Sequence, residues 1–230
     1  PKYLNKKNIK INWFHHYVNR SDKYNLKNDL NTIKRLNNDN NFHQMICNNI
    51  SSLTFIKIIF NWLTLVFRIT SIEKKLFKKI SNSRNGFLFF FHKEGYYNSI
   101  YGTLAMQNII WVHQFNRILK QIPKQKLGLY LCENQSWERA LSYYWKKNGH
   151  GKLCGVIHST MPFWDLRYFQ DKDSFNMDSV LPVPDYFAVN SPLAKKIYEE
   201  SSQPTSMLTE VEALRYLNLI RKILHIIFKL

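Results

Sequence analysis

The sequence predicts an α/β fold, a Rossmann-like parallel sheet with helices on both faces, and three features of the 230-residue chain carry that reading. Apolar runs of strand length, "KLGLYLC" (126–132), "KLCGVIH" (152–158) and "DYFAV" (185–189), recur at intervals filled by helical patterns. Between the first two, Trp137, Ala140, Leu141, Tyr144 and Trp145 fall at i, i+3, i+4, i+7 and i+8, one face of a helix. Start and stop signals mark the junctions, so residues 126–158 have the length and order of a βαβ unit. Strands separated by helices pair in parallel and are covered on both faces.

Taken in order, "INWFHHYV" (11–18) reads as an apolar strand, followed by a polar helical stretch around 26–37 and an Asn-rich loop. Residues 53–70, "LTFIKIIFNWLTLVFRIT", are apolar but interrupted by Lys57, Asn61 and Arg68. The uninterrupted part is shorter than the roughly 20 residues a membrane span needs. With Trp62 inside it and Lys74, Lys75, Lys78 and Lys79 beyond it, the segment fits a membrane-interface helix as well as a core helix with a basic exit. "GFLFFF" (86–91) reads as a buried strand, and the apolar period after it stays helical to about 119, with Pro123 closing the unit. Ser136 is the expected cap of the next helix, with Glu138 in its first turn and Lys146, Lys147 and Gly149 at its stop. After "DYFAV" come Asn190, a cap at Ser191 and Pro192 at the first helical position. "MLTEVEAL" (207–214) is the fourth strand of the series. Residues 1–84 therefore form a basic amino-terminal part, 85–212 the Rossmann-like core, and 213–230 an amphipathic helix or truncated linker.

Hydrophobic residues at 45% and aromatics at 15% exceed what a disordered chain carries. Cys47, Cys132 and Cys154 are an odd, unpaired set and no secretory signal opens the chain, so a reducing cytosolic setting is expected. The formal charge is +17 with a pI near 9.8. Its excess is in the first third: residues 1–84 hold 16 Lys/Arg against 4 Asp/Glu, and 85–230 hold 17 against 12. A solvated Lys- and Asn-rich surface and attraction to an anionic membrane both account for this. Nucleic acid is not the expected partner, because zinc-finger spacing, glycine-bearing aromatic strands of the RNA-recognition type and basic heptad helices are all missing.

Ligands of open parallel sheets bind at the carboxyl ends of the strands. Glu133, His158 and Asn190 each follow a strand run, so they would project from one edge. A carboxylate and an imidazole there can take a proton from a hydroxyl, because environment brings either pKa near neutrality. Equally, the histidine can bond a carbonyl and Glu133 the amides of the next helix. The loop "HSTMPFWDLRYFQD" (158–171) adds Ser159, Thr160, Trp164, Asp165, Arg167 and Tyr168. Aromatic faces suit sugar rings, and Asp and Arg suit hydroxyls, carboxylates or phosphates; Trp164 and Tyr168 would also serve as plain anchors of the loop. Walker, G-x-G-x-x-G, G-x-S-x-G and H-E-x-x-H motifs are missing. Cys132, His150, Cys154 and His158 have the look of metal ligands, but Cys154 and His158 lie about 13 Å apart along one strand, so no metal is expected.

The stretches "GLYLCENQSWERAL", "KKNGHGKLCGVIHSTMPFWDLRYF", "PDYFAVNSPLAKKIYEES" and "EVEALRYL" resemble the bacterial surface carbohydrate biosynthesis proteins, glycosyltransferases of O-antigen and capsule pathways similar to two-domain GT-B enzymes. The likeness spans about residues 85–219 and is weaker over "INWFHHYV" and "FHQMICNNI". It implies that this chain is one half of such an enzyme, the acceptor-side domain, with the donor-binding domain elsewhere. It further implies a nucleotide sugar as donor substrate, a glycan or lipid-linked acceptor, no cofactor, and a cytoplasmic location, peripheral to the inner membrane face. His158 would be the general base and Glu133 its orienting partner or replacement. Trp164, Asp165 and Arg167 would hold the acceptor sugar or its diphosphate. The contrasting expectation is a non-catalytic membrane-surface domain that binds lipid-linked glycans.

Overall fold

The structure is a computed structural model that describes residues 9–17, 25–46, 50–84, 86–157, 167 and 181–211. It is an α/β protein, and among the described residues the strands of both sheets pair in parallel. The chain divides into two compact units, Pro1–Ile118 and Leu119–Leu230.

In the first unit, β1 (Ile11–His15) and β2 (Asn41–Met45) pair in parallel across α1 (Leu26–Arg35), a βαβ turn. Asn25 caps α1 by accepting the Lys27 N–H, with Asp29 in the first turn and Lys34 and Arg35 in the last, matching the helix dipole at both ends. The polar segment expected to be loop thus contains β2. It is held by Trp13 Nε1–H donating to Asn41 Oδ1 at 3.1 Å and by the Trp13–His43 register. Ser51 then caps α2 (Ser52–Ser81), which continues well past the apolar run, through the basic residues Lys74 to Lys79.

"GFLFFF" corrects its strand reading. Gly86–Leu88 is a 3-10 turn, and Phe89 opens α3 (Phe89–Ile100). Phe89 packs on Phe77 of α2, ring centroids 5.3 Å apart, so a run apolar enough for a strand is used to close a helical hairpin. The helical period expected to run unbroken to 119 is interrupted at Tyr101–Gly102. A Cβ on Gly102 would meet Asn98 Oδ1 at 2.1 Å, and α4 (Thr103–Gln121) starts after it.

The second unit carries a sheet in the order β3-β4-β5-β6, formed by Leu127–Leu131, Lys152–Val156, Tyr186–Val189 and Leu208–Glu210. α5 (Ser136–Lys147) joins β3 to β4, and α6 (Pro192–Glu200) joins β5 to β6. Ser191 caps α6 by accepting the Ala194 N–H, with Pro192 at its first position, as the sequence indicates. Both helices cover the same face. Trp145 of α5 lies against Gly128 and Leu153, while Tyr198 of α6 packs on Phe187, 5.4 Å between rings. Register puts Gly128 beside Leu153 and Gly155 beside Phe187, on one side of the sheet. Helices on both faces were expected; here α5 and α6 share one face, and on the other Leu127, Leu129 and Leu131 of β3 are more than half exposed.

Candidate functional site

The four parallel strands of the second unit end at one edge, which sets what can meet there. Glu133 follows β3 by two residues and Asn190 follows β5 directly. With β4 between them, two strand spacings set them about 10 Å apart across the sheet. The β4 ladder continues one residue past the strand, since Ile157 N–H donates to Ala188 O at 3.0 Å. His158 comes next in the sequence but lies outside the described residues, as do Ser159, Thr160, Trp164, Asp165 and Tyr168. Arg167 is described, and exposed. The structure therefore brings Glu133 and Asn190 to one edge, with Asn190 half-buried and Glu133 exposed.

The carboxylate built into this edge is Glu138, which the sequence reading placed only in a helix's first turn. Its Oε1 accepts the Glu133 N–H at 2.8 Å and the Gln135 N–H at 2.9 Å. Its Oε2 accepts the Cys132 thiol at 3.4 Å. The α5 cap is accordingly Gln135, with Ser136 the first helical residue and Glu138 reaching back from the third. Ser136 was the expected cap. The Q-x-x-E spacing was the available signal, and a glutamate that reaches the cap amide leaves a serine cap with nothing to add. Burial raises the Glu138 carboxyl above its ordinary pKa, against the pull of the two amides. The Cys132 thiol is pushed up to about 12, by burial first and then by the Glu138 charge. Glu138 is thus a positioning group: it shapes the turn that presents Glu133, and only 5% of its own surface reaches solvent.

Below this turn the interior closes. A pocket lined by Tyr130, Asn134, Ser142, Phe187 and Gln203, with Arg139 donating to Pro182 O at 3.1 Å on its wall, has room for about one water molecule. It is too small for a sugar. His150, one of the apparent metal ligands of the sequence, is a structural latch. Its Nδ1 accepts the Gln125 N–H at 3.1 Å and its Nε2–H donates to Leu119 O at 2.8 Å. Burial holds its pKa below the ordinary histidine value, and both ring nitrogens are taken. Among the described residues no three His, Cys, Asp or Glu side chains gather into a metal-binding group.

A histidine pair at the sheet of the first unit escaped the sequence reading. His15, the last residue of β1, and His43 of β2 meet Nε2 to Nδ1 at 3.0 Å. Their rings are 12° from parallel with centroids 5.3 Å apart, so they meet edge to edge through one N–H···N bond. Burial lowers both pKa values, and His15 is lowered further by the His43 charge. The next residue, His16, is half-buried against Trp111 and Phe115. The signal was the His-His dipeptide at a strand's carboxyl end, but the partner that makes it a pair is 28 residues away. Comparison with models of protein families, with curated proteins and with solved structures gave no match to this chain.

Proposed function

We propose that this chain is the acceptor side of a GT-B-type glycosyltransferase of bacterial surface polysaccharide (O-antigen or capsule) assembly, moving a sugar from a nucleotide sugar to a glycan or lipid-linked acceptor. The observation that carries the reading is the parallel ladder running to Ile157, which delivers the chain to the carboxyl edge one residue before His158, beside the turns of Glu133 and Asn190. In this reading His158 takes the proton of the acceptor hydroxyl. The oxygen then forms a bond to the anomeric carbon of the donor sugar. The bond from that carbon to the diphosphate breaks, and the nucleoside diphosphate leaves with the electron pair. Glu133 orients the imidazolium or takes the base role itself. Ser159, Thr160, Trp164, Asp165, Arg167 and Asn190 hold the acceptor, the tryptophan under a ring face and the arginine on anionic oxygens. The donor needs no cofactor and is bound by a second domain, and the setting is cytoplasmic, on the inner membrane face.

In a preparation that includes the donor-binding domain, His158→Ala should lower turnover by about 100- to 10,000-fold, the usual contribution of a positioned acid or base. A large loss in Glu133→Gln with a small one in His158→Ala would move the base role to Glu133. Near-normal turnover and melting in both would remove both from catalysis. The second reading, a non-catalytic module that binds lipid-linked glycans at a membrane surface, is favoured by the exposed apolar length of α2. Glycan binding with no sugar-nucleotide turnover in the same preparation would establish it.

A further inference from the structure

The 30 residues of α2 make a rod about 45 Å long with two apolar faces. One face is used. Ile58 is buried, Trp62 Nε1–H donates to Ile100 O at 3.1 Å, and Glu73 accepts from Tyr96 OH at 3.4 Å and Tyr101 OH at 3.3 Å. With Phe77 on Phe89, these contacts lay α3 antiparallel along α2. Among the described residues nothing packs on the other face. Leu53, Ile56, Phe60, Leu63 and Phe67 are 72%, 61%, 68%, 52% and 78% exposed. Their alternating spacing of three and four residues makes a straight stripe about 21 Å long.

The same line continues through Lys74 and Lys78, at seven and eleven residues beyond Phe67. Lys75 and Lys79 stand beside them. At this end of the hairpin Phe87, Phe90 and Phe91 are 69%, 78% and 73% exposed. Lys57 and Arg68 complete a helix of six cations against one acid, Glu73, which is already bonded to two tyrosines. Contiguous apolar surface of this extent marks an interaction site.

Its charge selects the occupant. Parallel self-pairing would set Lys74 and Lys78 against their own copies, and antiparallel pairing of the stripes would bring them no carboxylate of α2, whose one acid, Glu73, is held by two tyrosines, so a second chain leaves the lysine end unmatched. By length and composition α2 can cross a membrane. However, Lys57 and Arg68 bracket only residues 58–67, about 15 Å of helix against a hydrocarbon core of about 30 Å. An anionic bilayer surface accepts every part: the stripe at the acyl boundary, the phenylalanines beside it, and the lysine end on lipid phosphates.

We propose that the outer face of the α2–α3 hairpin docks on the surface of an anionic membrane, with the Leu53–Phe67 stripe inserted and the Lys74–Lys79 end on the head groups. This holds under either reading of the carboxyl-edge site, and its test measures binding without turnover. The full chain is sedimented with phosphatidylcholine vesicles, with and without phosphatidylglycerol. It should bind the anionic vesicles and leave them as salt rises from about 0.1 to about 1 M, where screening shortens from about 10 to about 3 Å. Each of Lys74→Gln, Lys75→Gln, Lys78→Gln and Lys79→Gln should weaken binding about fivefold, and combining them should compound the loss. The triple variant Phe60→Ser, Leu63→Ser, Phe67→Ser should abolish it with the circular dichroism spectrum retained. If that variant fails to fold, the lipid, salt and lysine measurements decide. Four outcomes would overturn the proposal: equal, salt-independent binding to neutral vesicles; binding unchanged in both variant sets; retention after alkaline carbonate washing, which marks a span; or a dimer abolished by the serine variants in a chain that ignores vesicles.

Discussion

At the carboxyl end of β3 the buried Glu138 takes two backbone N–H groups and a thiol, while Glu133, five residues before it, is exposed. Removing the buried acceptor orphans the amides of Glu133 and Gln135. Glu138→Ala should therefore lower the unfolding free energy by about 2–4 kcal/mol, and Glu133→Ala, at an exposed side chain, by no more than about 1 kcal/mol, as read by urea titration. The sequence drew attention to Glu133 because it closes a strand run, but which carboxylate turns inward depends on the loop geometry, including the left-handed Asn134 at φ 55°. His150 carries a pH signature. Its unfolded form takes up a proton near pH 6.5, whereas the folded ring, neutral between Gln125 and Leu119, does so only at lower pH. Its contribution is complete above about pH 6.5 and is lost as pH falls through the lowered folded value. The melting temperature should drop between about pH 7.5 and about pH 5.5, with a shallower slope in His150→Gln.

The elements of the second unit rest on close backbone approaches that glycine permits. A Cβ on Gly128 of β3 would meet Trp145 Cη2 at 2.6 Å and Leu153 Cδ1 at 2.8 Å. The indole is pinned by its own bond to Gly151 O at 2.7 Å, so it cannot swing aside. Gly128→Ala should cost about 1–3 kcal/mol, seen as a lower urea midpoint at an unchanged slope. This part of the fold was legible in the sequence: β3, α5, β4, β5, α6 and β6 fall within the expected runs, because local period and caps agree with the final packing. The first unit was less so. β2 reads "NFHQM", a composition with little strand character, and takes that form through its pairing with β1. The run 86–91 has no polar residue to set a period, so its helical form is decided by the non-local contact of Phe89 with Phe77. For the candidate site, the edge positions of Glu133 and Asn190 were legible from strand ends alone; the role of Glu138 had a local signal in its spacing from Gln135, whereas the His15–His43 pair needed a contact across 28 residues.

At the scale of the whole molecule, the described strands of the second unit run in the order β3-β4-β5-β6 without reversal, so these four strands form no switch point of the kind at which doubly wound folds open a crevice. Among the described residues, the second unit offers a ligand the turns at this carboxyl edge, where Glu133 is exposed and Asn190 half-buried. The enclosed Cys132 offers a way to time how this unit opens. Its side chain is 1% exposed and its thiol is raised to about 12. Only a thiolate reacts with maleimide or a disulfide reagent, so the native residue is silent and modification waits for a breathing event. Cys154 on β4 is half-buried and should label before Cys132. The lag of Cys132 behind it, followed peptide by peptide in a mass spectrometer, becomes a clock for opening of the core that Cys132 shares with Glu138 of α5 and with Ala194 and Tyr198 of α6. Glu138→Ala should make that clock run faster, even where bulk melting still looks cooperative.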